Sequence, residues 1–170
     1  DGIVRILIAD DHPIFRDGLT RLLETDSTCH VVGMAGDGAE TLRLVSELHP
    51  DLLLLDLSMP TFGGLDVLRT LGPNPPLRIV VLTADVRQQQ VVEALQCGAR
   101  GVLLKESTTP LLFKCIRCVM QGQLWIGRED IADVVQALRG GALRAATEPR
   151  KRNGFGLTPR ELGNLGGVAA

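Results

Sequence analysis

Apolar and polar positions alternate in blocks along the chain. Short runs rich in Val, Ile and Leu fall at 3–9, 30–35, 52–55, 77–82 and 101–104. Amphipathic stretches lie between and after them, near 14–25, 38–48, 65–71, 86–97 and 109–121. The runs are continuous rather than alternating, so both faces of each strand must be covered, and the intervening helical periods supply the cover. The expected fold class is therefore α/β, a doubly wound five-stranded parallel sheet built from five β-α units. Pro13 fits the first turn of the first helix, and Gly98 fits the end of the fourth.

After Gly122 the pattern changes. Ile131, Val134, Val135 and Leu138 recur at helical spacing and predict one more short helix. The stretch "RGGALRAATEPRKRNGFG", 139–156, has Gly, Pro and mixed charge with little to bury, and reads as a linker whose Arg150, Lys151 and Arg152 are a solvated triplet. In the closing "LTPRELGNLGGVAA", Thr158 can cap a helix, Pro159 suits its first position, and Glu161 completes a capping box. Gly163, Gly166 and Gly167 then weaken that helix by about 1 kcal/mol each relative to alanine. The chain thus divides into three segments, 1–122, 123–156 and 157–170.

Composition narrows the function classes. With 170 residues, 45% of them hydrophobic, the chain can build one full core plus an appendage. Eighteen Lys+Arg against 20 Asp+Glu give a net charge of −2, so no overall basic field attracts nucleic acid. No apolar run approaches the roughly 20 residues of a membrane span, and the amino terminus has no signal-sequence pattern. A cytoplasmic protein with reduced thiols is expected. Among the four cysteines, Cys115 and Cys118 have Cys-x-x-Cys spacing, but they lie inside a predicted helix rather than at its start. Cys115 shares a helical face with Leu112, Ile116 and Val119 and is expected in the core.

The strand ends carry the chemistry. Ligands of open parallel sheets gather beyond the carboxyl ends of the strands. There the first strand delivers Asp10 and Asp11, the third Asp56, the fourth Thr83 and the fifth Lys105. Three converging carboxylates repel unless a cation joins them, and an oxygen-only set with few protein ligands suits Mg2+. His12, next to Pro13, is expected to be a helix-entry residue rather than a ligand. A carboxylate beside a metal, with a lysine and a hydroxyl opposite, can accept a phosphoryl group: Asp56 attacks, Mg2+ and Lys105 neutralise, and Thr83 donates a hydrogen bond.

These residues resemble the receiver domain of two-component response regulators of the NarL/FixJ type, a CheY-like (β/α)5 fold. The resemblance runs from 3 to about 122 through "ADDHPIFRDGL", "DLLLLDLSMPTFGGLDVL", "VVLTA" and "GARGVLLKES". "LTPRELGNL" resembles the start of a LuxR-type helix-turn-helix domain. The resemblance implies Asp56 as phosphoacceptor and Asp10 and Asp11 as acidic Mg2+ residues. It further implies the Ser58 main-chain carbonyl as a metal ligand, Thr83 as the switch hydroxyl and Lys105 as the phosphate-pairing cation. Met59, Pro60, Gly63 and Gly64 would shape the loop after the phosphoacceptor. A sensor histidine kinase would be the phosphoryl donor, and phosphorylation would favour a homodimer that binds promoter DNA. The last step belongs to a full-length protein, because residues up to Ala170 include no recognition helix and are expected not to read bases.

Two positions depart from the family pattern. Val102 stands where many receivers have Tyr or Phe, so coupling from Thr83 would be weak or take another route. Glu106 follows Lys105 where many have proline, and a trans bond is expected there. Ser58 and Asp85 would tune the phosphoryl lifetime. Rival readings are a phosphorylation-independent interaction module and a haloacid dehalogenase-like phosphatase, the latter wanting Asp where Ser58 stands. A dinucleotide protein would want a glycine-rich loop after the first strand, where this chain has "ADDHP"; "GMAGDG" at 33–38 is a partial match.

Overall fold

A computed structural model of the protein describes residues 2–84, 88–106 and 109–126. The helix expected at 127–138, the linker, the capped segment at 157–170 and Asp85 lie outside the described residues. In chain order the elements are β1 (Val4–Ala9), α1 (Pro13–Leu23), β2 (Cys29–Ala35), α2 (Gly38–Leu48), β3 (Leu52–Asp56) and α3 (Gly64–Leu71). They continue with β4 (Arg78–Thr83), α4 (Gln88–Gln96), β5 (Gly101–Leu104), α5 (Thr109–Met120) and β6 (Trp125–Ile126).

All strand pairs are parallel, in the order β2-β1-β3-β4-β5-β6. The expected α/β doubly wound sheet is therefore present, with one correction: among the described residues it has six strands rather than five. Trp125 and Ile126 lie beside Gly101 and Val102, and the Trp125 amide donates to the Arg100 carbonyl at 2.9 Å. A two-residue run after Gly122 carries no periodicity, so its pairing is set by burial of the indole and the isoleucine against the rest of the fold.

The four leucines of β3 are all fully buried because the strand is covered on both faces. Leu53 and Leu55 join Leu7, Ala9, Ile79 and Val81 in one core, closed by Val45 of α2, Val67 and Leu68 of α3, and Val91 and Leu95 of α4. Leu52 and Leu54 join Ile6, Ile8, Val80 and Leu82 in the other, closed by Leu19 and Leu23 of α1 and Leu112, Cys115 and Ile116 of α5. Fully burying each leucine is worth about 2 kcal/mol, so the run anchors β3 and fixes the position of Asp56 at its end.

Helix ends lie close to where the sequence puts them. Pro13 opens α1, which ends at Leu23 rather than near 25; Asp26 then folds the chain back by accepting from the Thr28 amide and hydroxyl. Gly98 closes the turn after α4 at φ +113, a conformation that disfavours any side chain. Cys115 is buried, as its helical face predicts, and burial raises its thiol pKa, which leaves it inert. No helix among the described residues is long and apolar enough to cross a membrane.

Candidate functional site at the strand ends

The chain winds from β1 first to one side and then, through β3, to the other, so β1 is the switch point of the sheet. There α1 packs on one face while α2 and α3 pack on the opposite one, and the acidic residues collect between them. Ala9 is in register with Leu55, so the next residues along each strand, Asp10 and Asp56, emerge side by side. Both are buried, at 1% and 2% exposure, whereas the Asp11 side chain is one-quarter exposed. Thr83 is buried at the end of β4, and its carbonyl accepts from the Lys105 amide at 2.8 Å, which ties the end of β4 to the turn after β5.

Lys105 closes the group. Its Nζ lies 2.6 Å from Asp10 Oδ2 and 3.3 Å from Asp56 Oδ2, and it rests 4.7 Å from the centre of the Phe15 ring. Burial opposes its charge, yet the two carboxylates outweigh burial and raise its pKa. Burial pushes the Asp56 carboxyl up, and the Asp10 charge adds to this; the Ser58 amide at 3.0 Å and the lysine pull against both. Lys105 thus pairs with one oxygen of each buried carboxylate, while Asp11 Oδ1 is buried and accepts no hydrogen bond.

Asp10 is held from two further directions. Its Oδ1 accepts from the His12 amide at 2.8 Å, and its carbonyl accepts from Arg16 Nη1 at 2.6 Å. The loop after Asp56 is held by close backbone approach. The Gly38 amide donates to the Phe62 carbonyl at 3.1 Å, and the Gly63 amide donates to Asp66 Oδ2 at 3.0 Å. A Cβ on Gly64 would lie 2.5 Å from the Asp56 carbonyl oxygen, so the loop can fold against β3 only with glycine there.

Asp10, Asp11, Asp56, Thr83 and Lys105 thus all reach one end of the sheet, and Ser58 lies exposed at its rim. Ligand atoms of Asp10, Asp11, His12 and Asp56 fall within 4.8 Å of one another. His12 is the residue preceding α1, as expected, but its ring also enters the cluster, with Nδ1 3.1 Å from Asp10 Oδ1 and 3.2 Å from Asp11 Oδ1. Sequence reasoning also passed over Phe15 and Arg16. Both come just after Pro13, in the first turn of a helix that starts beside the acids, and that placement was the available signal. The bond between Lys105 and Glu106 is trans, as expected.

Three carboxylates gathered at one strand end, offset by a single lysine, form an oxygen-rich set that fits a hard divalent cation.

Residues 6–117 match the family described as the response regulator receiver domain. Among curated proteins, the chain is 37% identical over 157 residues to the nitrate/nitrite response regulator protein NarL of Escherichia coli K12, covering 92% of this chain and 70% of that protein. Among solved structures, it is similar to the receiver domain of the putative response regulator NarL from Mycobacterium tuberculosis. That match has 37% identity and a TM-score of 0.66, and covers 72% of this chain and 100% of that one. A LuxR-family two-component response regulator from Aurantimonas matches with 31% identity and a TM-score of 0.73, over 82% of this chain and 99% of that one. With the family's residues matched over most of the chain and the sheet order and strand-end acids in place, the protein belongs to the response regulator receiver family and is homologous to two-component regulators of the NarL and LuxR type.

Proposed function

We propose that Asp56 is the phosphoacceptor of a two-component regulator and that a sensor histidine kinase is its donor. The observation that carries this reading is a carboxylate 2% exposed at the end of a fully buried strand, with a lysine 3.3 Å from its Oδ2. Two buried carboxylates sharing one ammonium are costly to desolvate, and groups held in that way are characteristic of places where a fold does chemistry.

In the proposed step an Asp56 carboxylate oxygen attacks the donor's phosphorus in line; the new P–O bond forms as the bond to the donor's leaving atom breaks, giving an acyl phosphate. Lys105 is placed to follow the charge from Asp56 Oδ2 onto the phosphoryl oxygens. The Ser58 amide already steers Asp56 Oδ1, which leaves Oδ2 for attack. Asp10, Asp11, Asp56 and the Ser58 main-chain carbonyl would hold Mg2+, which supplies charge neutralisation at the phosphoryl oxygens. The Thr83 hydroxyl would donate to the product phosphoryl group, drawing the end of β4 inward and favouring the active state.

Phosphorylation would then favour a homodimer, and in the full-length protein two helix-turn-helix domains would meet adjacent half-sites of promoter DNA. Residues 1–122 supply the phosphoacceptor unit, 123–156 the helix and linker, and 157–170 the start of the DNA-binding domain, in a cytoplasmic protein.

Beryllium fluoride, a stable mimic of an acyl phosphate, tests the site without a kinase. Fluorine NMR of the mixture should show protein-bound resonances that need Mg2+ and vanish in Asp56→Asn. Bound resonances that persist in that variant would place the acceptor elsewhere.

A further inference from the structure

The Phe15 ring stands against the ammonium of Lys105, which carries three N–H donors. Asp10 Oδ2 at 2.6 Å and Asp56 Oδ2 at 3.3 Å take up two sides of the ammonium. The ring, whose centre lies 4.7 Å from Nζ, covers a further one. The lysine side chain is only 15% exposed, so little water is left to complete its shell. An aromatic face carries the negative part of the ring quadrupole and attracts a desolvated ammonium as an aliphatic side chain cannot.

The surroundings make that difference matter. Phe15 and Lys105 line an apolar cleft between α1 and α5 together with Leu19, Leu82, Leu103 and Leu112. Among the described residues the rest of the lining is aliphatic or glycine, so the ring is the face in the cleft that attracts a cation. Its backbone is fixed as well. Phe15 is the third residue of α1, and the next residue, Arg16, donates from its amide to the His12 carbonyl at 3.0 Å and from Nη1 to the Asp10 carbonyl at 2.6 Å. Those bonds tie the first turn of α1 to the strand end that carries the acids, and the half-buried ring packs on the core beneath the helix.

We infer that Phe15 is a positioning residue for phosphoryl transfer: its ring face holds the Lys105 ammonium against Asp10 and Asp56, so that the charge is in place when the phosphoryl oxygens arrive. This rests on the reading of Asp56 as phosphoacceptor. A cation fixed in advance stabilises charge that develops in the transition state without having to reorganise. One free to swing out to water must first be gathered in. The ring acts only through Lys105.

The test replaces Phe15 in the full chain by mono-, di- and trifluorinated phenylalanine, which drain the ring face of charge with little change in size, and adds Phe15→Leu and Phe15→Tyr. Adduct formation from a small acyl phosphate with Mg2+ is followed by intact mass. Its rate should fall stepwise along the fluorinated series to about one-fifth with the trifluorinated ring. It should fall at least as far in Phe15→Leu and stay near that of the wild type in Phe15→Tyr. In proton NMR the Lys105 side-chain resonances, identified by their loss in Lys105→Arg, should be shifted upfield by the ring and return to ordinary values in Phe15→Leu. A flat rate along the fluorinated series would overturn the inference even if Phe15→Leu is slow or unfolded, because packing alone would then account for the residue. Lys105 resonances without a ring shift would overturn it too. If the wild type takes up no phosphoryl group although the ring shift is present, the phosphoacceptor reading falls, and this inference falls with it.

Discussion

Asp56 holds two opposed demands in one side chain. In the proposed role of attacking group it must be ionised, yet burial disfavours the charged form and raises its pKa. A carboxyl whose folded pKa exceeds its unfolded one binds more protons when folded, so the protein loses stability as pH rises from the ordinary carboxylate range through the raised value. In metal-free buffer at pH 7, Asp56→Asn should therefore raise the melting temperature, by roughly 2–5 °C, and the gain should shrink as pH falls into the carboxylate range. An equal gain at every pH would show that the charge is not its source. The candidate residues were legible because they sit at strand ends, Asp10, Asp56, Thr83 and Lys105 each one step past an apolar run and Asp11 one further on. The His12, Phe15 and Arg16 contacts were not, because they depend on how the first turn of α1 rotates over the acids, and spacing along the chain does not encode that rotation.

At the scale of elements, the glycine-containing stretch after β2 serves packing rather than a phosphate loop. Gly38 is the first residue of α2, and a Cβ there would sit 2.3 Å from the Phe62 carbonyl oxygen in the loop after Asp56. Alanine is the better helix former by about 1 kcal/mol, while overpacking against backbone costs about 1–3 kcal/mol or more. The second effect wins, because a carbonyl cannot swing aside as a side-chain tip can. Gly38→Ala should lower the urea unfolding free energy by about 2 kcal/mol with little change in the slope. A neutral or stabilising result would mean that α2 and the loop are not locked together. Helices and the first five strands were readable from block periodicity, with ends within about two residues. The sixth strand was not, because two residues carry no period. Its pairing bears on the departure at position 102. Val102 is buried and lies beside Ile126, so the strand that would carry an aromatic switch instead has a further strand at its edge.

For the molecule as a whole, two cores clamp one sheet, and their boundary passes through the strand whose end is Asp56. The fold places a buried carboxylate at the end of a strand covered on both faces, with Lys105 and the Ser58 amide held against it. Intact mass after incubation with Mg2+ and a small acyl phosphate tests most directly whether this placement makes Asp56 an acceptor of phosphoryl groups. The predicted result is a single phosphoryl adduct that hydroxylamine removes, that chelation of the metal prevents, and that Asp56→Asn lacks. An adduct that survives hydroxylamine or appears equally in Asp56→Asn, or no adduct with any acyl phosphate while the protein is folded and metal-bound, would contradict it.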